Sequence, residues 1–208
     1  MKRLGLVLLA ALAGCGGSHA PVSPEVRAAT FSWEVGDKDR KWIEAAIDEA
    51  RPEARQLIDQ VDGMVTVRTF SAPGGPAVGL MQPTGPSHYS VLFNVAYLNG
   101  ERKIDRTTTV LHELGHVVDQ ALVPPELRDE LAAQLPHTGG CLTADTGDCT
   151  APAERFADTF AKWALRGAVS AAGAGYAVAT PASLEDWGAP LATLAIEIDV
   201  SATRARAW

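Results

Sequence analysis

The chain has 208 residues, 47% of them hydrophobic, and a formal net charge of −7 at pH 7. That is length and apolar content for one globular domain with its own core, and too much apolar content for a disordered chain. The acidic balance argues against nucleic-acid binding and charge-driven membrane adhesion, and no segment after the amino terminus is long and apolar enough to span a bilayer.

Lys2 and Arg3 precede a short apolar run, Leu4 to Ala13, too short to cross a membrane as a helix. This layout predicts an export signal. It ends in Leu12-Ala13-Gly14-Cys15, which resembles the bacterial lipobox. That resemblance implies cleavage before Cys15 and lipid on Cys15, an anchor in which each buried methylene contributes about 0.8 kcal/mol. Ordinary secretion with an incidental Cys15 is the alternative. Gly16-Gly17-Ser18, Pro21, Ser23 and Pro24 follow, as in a flexible tether. The expected division is a signal over 1–14, a lipidated cysteine and tether over 15–36, and a folded domain over 37–208. Without Lys2 and Arg3 the net charge is about −9. Membrane contact would then come through lipid, in the bacterial cell envelope.

Asp37 to Val61 reads as helix, with Trp42, Ile43, Ala46, Ile47, Ala50, Ala54, Leu57 and Ile58 as its apolar face and Pro52 as a kink or split. Met64 to Phe70 alternates as a strand should, Val65, Val67 and Thr69 on one face, Thr66 and Arg68 on the other. Ser71 to Pro86 is rich in Gly and Pro and reads as a loop. Tyr89 to Tyr97 is β-rich, and Asn99-Gly100 signals a turn.

Thr107 to Leu122 reads as a helix containing His112-Glu113-Leu114-Gly115-His116. Histidines four apart share one helical face, so both rings can reach one metal ion. Zn²⁺ takes imidazole nitrogen readily and keeps an open position when three protein ligands bind it. Glu113 follows the first histidine, points aside, and can take a proton from an attacking water. Two ligands and a base in five residues form a zinc hydrolase pattern, although short motifs and paired surface histidines also occur without a metal.

The third ligand lies elsewhere. The metzincin extension needs Gly at 119 and His at 122, where this chain has Asp119 and Leu122. His19, His88 and His137 have no partner at helical spacing. Pro125 to Leu135 reads as a helix with Leu127, Leu131 and Leu135 inward, followed by a Gly-rich loop holding Cys141 and Cys149. Three cysteines is an odd count for an exported chain. If Cys15 takes lipid, Cys141 and Cys149 remain as a disulfide pair in an oxidising compartment; ligation of zinc by cysteine is the rival reading.

Next comes a helix from Pro152 to about Arg166, with Thr150 as a candidate N-cap. Glu154 and Asp158 lie four apart on one face, and Phe156, Ala157, Phe160, Ala161 and Ala164 form its apolar side. Glu154 can bind zinc, and Asp158 can accept a hydrogen bond from the non-metal nitrogen of a ligand histidine, which would fix that ring. The plain alternative is that both are solvated acids. Ala168 to Thr180 reads as a small-residue loop. Ala182 to Val200 reads as a terminal helix interrupted near Gly188-Ala189-Pro190.

His-Glu-Leu-Gly-His, followed some forty residues later by Glu154-Arg155-Phe156-Ala157-Asp158-Thr159-Phe160-Ala161, resembles the gluzincin metallopeptidases. The nearest type is the catalytic domain of anthrax lethal factor and its bacterial relatives, over about residues 104–165. The resemblance implies His112, His116 and Glu154 as zinc ligands, Glu113 as base and Asp158 as the supporting carboxylate. Asp119 also matches a position in that family's helix, and a structural role is expected for it here. It also implies an α+β, zincin-like fold: a small mixed sheet over an active-site helix, with a helical C-terminal lobe. In that fold Ser90 to Asn94 would be the sheet edge that takes an extended peptide, or else a plain core strand. One departure matters. The relatives carry a tyrosine shortly before the glutamate ligand, and Thr143 to Cys149 has none. Tyr176 and His137 are the substitutes to consider for stabilising an oxyanion.

The leading functional expectation is a zinc-dependent metallopeptidase acting on peptide or protein substrates at the envelope. A zinc-binding lipoprotein without hydrolysis, structural or adhesive, is the alternative. Hydrolysis of a non-peptide amide such as cell-wall material would use the same chemistry.

Overall fold

The computed structural model describes residues 31–99, 104–136, 151–168 and 178–206. Cys15, His137, Cys141, Cys149, Thr150, Tyr176 and Gly100 lie outside the described residues, so the readings placed on them stay sequence-based. The described part holds a four-stranded sheet and seven helices, an α+β arrangement. No helix among the described residues is long and apolar enough to cross a membrane.

The sheet starts earlier than the tether reading expects. Ser32–Glu34 forms strand β1, parallel to β2 (Val65–Phe70), with Ser32 opposite Thr66. Phe31 is buried, Trp33 and Val35 pack on the core, and Arg68 grips Glu34 with two hydrogen bonds at 2.7 and 3.0 Å. Apolar residues at 31, 33 and 35 draw this stretch onto the sheet, so the folded domain begins before residue 37.

The helical segment after Asp37 does break at Pro52. It gives α1 (Asp37–Asp48) and α2 (Pro52–Gln60), with Pro52 at the first turn, where its missing N–H costs nothing. Val65 and Val67 are buried while Arg68 is exposed, which is the alternation read from sequence.

Two expectations about the middle of the chain are corrected. Ser71 to Pro86 is not all loop: Gly79–Gly85 is strand β3, antiparallel to β4 (His88–Asn94). The sheet order β1-β2-β4-β3 then places β4 inside the sheet and β3 at its edge. Ser90 to Asn94 is therefore a core strand paired on both sides. Gly79, Pro83 and Gly85 hid β3, since all three types are depleted in strands. Pro83 is tolerated because an edge strand has one unpaired side. After β4 the chain turns into the short helix α3 (Val95–Leu98), capped by Asn94, whose side chain accepts from Ala96 N.

The remaining helices are α4 (Arg106–Leu122), α5 (Pro125–Ala133), α6 (Pro152–Ala164) and α7 (Leu184–Arg206). α4 packs against β3, β4, α1 and α6. Helix α6 has Ala151 as its N-cap residue, without a side-chain cap, in place of the expected Thr150. Helix α7 runs unbroken through Pro190, contrary to the expected interruption. Pro190 lies only about two turns in, and Trp187, Leu191 and Ala195 on the same face are fully buried. That burial, roughly 25 cal/mol per Å² of apolar surface, offsets the ~3 kcal/mol cost of an internal proline.

Candidate metal centre

Helix α4 is capped by Asp105, whose carboxylate accepts from Thr108 N at 2.7 Å. Every residue from Thr108 to Asp119 is buried. The helix is enclosed because the sheet covers one side and α6 crosses another. Buried polar side chains in such a place need partners; the two histidines find theirs in Glu154 of α6, and Glu113 lies by the Met81 backbone of β3.

His112 Nε2 lies 3.1 Å from Glu154 Oε2, and His116 Nε2 lies 3.4 Å from Glu154 Oε1. The two imidazole rings stand almost perpendicular, 88° apart, with centroids 4.8 Å apart. One ligand atom from each of His112, His116 and Glu154 falls within 4.8 Å of the others, so the group could hold a metal ion. Two metal–ligand bonds of about 2.0–2.1 Å at a tetrahedral angle put their donor atoms roughly 3.3 Å apart. The histidine–carboxylate distances fit that spacing, and two imidazoles with one carboxylate suit zinc among other divalent ions.

The electrostatics couple the three side chains. Burial pushes the Glu154 carboxyl up, but hydrogen bonds and charge from His112 and His116 outweigh it and hold the group at about 2. Burial pulls His112 down, and Glu154, Glu113 and Asp158 together override it and raise it. Glu113 is pushed up by burial, with the histidines and the Met81 backbone opposing. A carboxyl raised by burial is a better proton acceptor than an ordinary one.

Asp158 sits one turn after Glu154 and is 1% exposed. Its hydrogen-bonding partners among the described residues are Lys162 Nζ, at 2.5 Å from Oδ2, and the Val178 backbone. Its influence on His112 is through charge. Lys162 Nζ also donates to Val178 O, tying α6 to the segment before α7. The sequence reading passed over Lys162, although it follows Asp158 by four residues, the spacing at which an acid and a base meet on a helix. Asp119 joins α4 to α5: Arg128 Nε donates to its carboxylate and Nη2 to its carbonyl, both at 2.6 Å.

A cleft of about 320 Å³ opens onto the group, lined by Glu113, His116 and Glu154 below and by Pro76, Ala77 and Gly79 of the β3 approach. A neighbouring hollow of about 560 Å³ shares Gln120 and Ala153 with it and reaches down to Tyr89, Leu135 and Phe156. Leu80, at the edge strand, is one of the large apolar side chains left exposed. Sequence reasoning missed the loop that shapes the cleft. Asn94 is fully buried and hydrogen-bonds Ala72 N, Ala72 O and Ala77 O, each at 3.0 Å. Tyr97 adds a bond to Gly75 O at 2.5 Å. An asparagine ending an apolar strand was the only hint.

Compared with protein-family models, curated proteins and solved structures, the chain finds no match.

Proposed function

We propose that this chain is a zinc-dependent metallopeptidase of the zincin type, of the gluzincin branch, exported and lipid-anchored through Cys15 in the bacterial cell envelope. The observation that carries the reading is the convergence of His112, His116 and Glu154, from two helices, beside a buried Glu113 in an open cleft. Hydrogen-bonding residues meet often; a buried carboxylate with no ion pair among the described residues, placed next to a three-donor metal set, is what hydrolysis requires.

His112, His116 and Glu154 would hold the ion, and bound zinc would supply a Lewis acid that polarises an amide carbonyl and brings water's pKa towards 7. Glu113 accepts the proton of the attacking water at its carboxylate and can pass it to the leaving nitrogen. Asp158, neutralised in part by Lys162, adds negative charge behind His112. Strand β3, the edge beside the cleft, is where an extended peptide can pair its backbone. The adjoining hollow supports a large apolar side chain next to the scissile bond.

The test is Glu113→Gln in zinc-loaded protein lacking the signal, against a broad peptide library. Gln has nearly the same shape and cannot take the proton. Zinc and fold should be kept while cleavage falls at least about a hundredfold. A wild type that cuts nothing, or a variant that cuts equally well, removes the peptidase reading and leaves a zinc-binding module.

A further inference from the structure

The main chain of β3 comes down on Glu113 at one place. A Cβ at Gly79 would lie 2.4 Å from Glu113 Oε1 and 2.7 Å from both its Cδ and Cγ. The overlap runs along the end of the side chain, not only its tip. Glu113 is 5% exposed, so it has little room to retreat. The strand is fixed from elsewhere. Asn94 N donates to Val78 O at 2.8 Å, and the Asn94 and Tyr97 side chains pin the loop from Ala72 to Ala77.

The ladder sets which groups face the open edge. Val78 pairs with Asn94 by a main-chain hydrogen bond. In an antiparallel pair such bonds fall on alternate residues, so Leu80 and Gln82 turn their N–H and C=O towards Leu92 and Ser90. Gly79, Met81 and Pro83 turn theirs outward. Pro83, with no N–H, occupies a place where the ladder needs none. The Met81 N–H is left out of the ladder by this register and turned to the open side, where the Met81 backbone lies near enough to the Glu113 carboxylate to favour its charged form.

We propose that Gly79 and the Met81 N–H are the positioning elements for Glu113: a residue without a side chain lets the edge strand close on the base, and the next outward N–H orients its carboxylate over the cleft. What the oriented base does rests on the metallopeptidase reading; the contact itself does not.

Two substitutions at one position isolate the N–H. Met81→Pro deletes an N–H that serves no ladder bond, and Met81→Ala keeps it while removing the side chain. We expect kcat in Met81→Pro to lie about tenfold or more below Met81→Ala, a part of the general-base contribution. KM should differ by less than about threefold between them, and zinc content should be the same. Gly79→Ala should lower kcat with zinc retained, whereas a merely structural strand would lose zinc, fold and rate together. A readout without turnover completes the test: the Met81 amide proton should move upfield in Glu113→Ala, which takes away a charged acceptor. Equal kcat in Met81→Pro and Met81→Ala, or an unmoved amide proton, overturns the proposal. A moved amide proton in a protein that cleaves nothing supports the contact and brings down the peptidase reading instead.

Discussion

Gly115 lies directly against Ala157: a Cβ at 115 would sit 3.2 Å from Ala157 Cα and 3.3 Å from its carbonyl oxygen. Glu154 is three residues before Ala157 on α6, and His112 and His116 flank Gly115 on α4. The closeness of the helices at this crossing is what brings the carboxylate onto both rings. Replacing a helical glycine usually stabilises by about 0.5–1 kcal/mol. Here Gly115→Val should destabilise, by roughly 1–3 kcal/mol from overpacking, and weaken zinc binding. Urea unfolding and zinc competition measure both, and a gain in stability would show that the crossing does not depend on Gly115.

The ligand set predicts an order of damage. His112→Ala, His116→Ala and Glu154→Ala should each strip or greatly weaken zinc, because two remaining ligands offset the ion's desolvation poorly. Asp158→Asn should keep most zinc and reduce affinity or activity about ten- to a hundredfold, the scale for groups behind a ligand. Elemental analysis with a chelator competition reads this directly. If Asp158→Ala loses the metal and Glu154→Ala does not, the two carboxylates have exchanged roles and the gluzincin reading fails.

The helices and the metal group were legible because their signals are local. His112 and His116 share a face by spacing alone, and Glu154 and Asp158 lie on the opposed face of a helix with an evident apolar side. Pro52 announced a break and delivered one. The cleft was not legible, since its walls depend on pairing. Strand β3 carries Gly79, Pro83 and Gly85 and looks like a loop until β4 is beside it. With β3 hidden, edge and core were both open for β4, and the pairing decides for core. The same holds for α7, where Pro190 signals a break locally and the buried Trp187, Leu191 and Ala195 overrule it.

The proposed export makes a prediction about the cysteines. Labelled fatty acid should enter the full chain in a bacterial host and be lost in Cys15→Ser. Cys141 and Cys149 should resist alkylation until reduced, and so short a loop should contribute at most a few kcal/mol. Free thiols in the unreduced protein would refute the bridge, and lipid persisting in Cys15→Ser would refute the anchor.

The hollow beside the cleft predicts a preference. Asp119 and Arg128 in its wall pair with each other, so their charges cancel and the rest of the lining is mainly apolar. Peptides with a large apolar residue at one fixed position next to the cut should be preferred over glycine there by about ten- to a hundredfold, from burial of one such side chain. Ala132, half-buried on α5, lines the hollow. Ala132→Trp should fill it and move the preference towards small residues. Product sequencing decides this, and an unchanged preference would place the specificity elsewhere.

Asp59 gives the fold a pH dependence separate from the metal. Burial raises its carboxyl from the usual 3.8 to about 6, with Asp62 and Asp48 adding to the shift and Arg55 opposing it. It also lies in the last turn of α2, where the helix dipole disfavours negative charge. A folded pKa above the unfolded one means that the folded state binds more protons between the two values. Stability from this group is therefore greatest below about pH 4 and is lost as pH rises through about 6. Asp59→Asn removes the ionisation and should raise the melting temperature at pH 8 by about one to three degrees, a modest figure because the group is only partly buried. At pH 4 the variant and the wild type should melt together. Melting curves at the two pH values settle the sign: a variant that is less stable at pH 8 would mean that Asp59 is held in its charged form by Arg55, and that burial does not govern it.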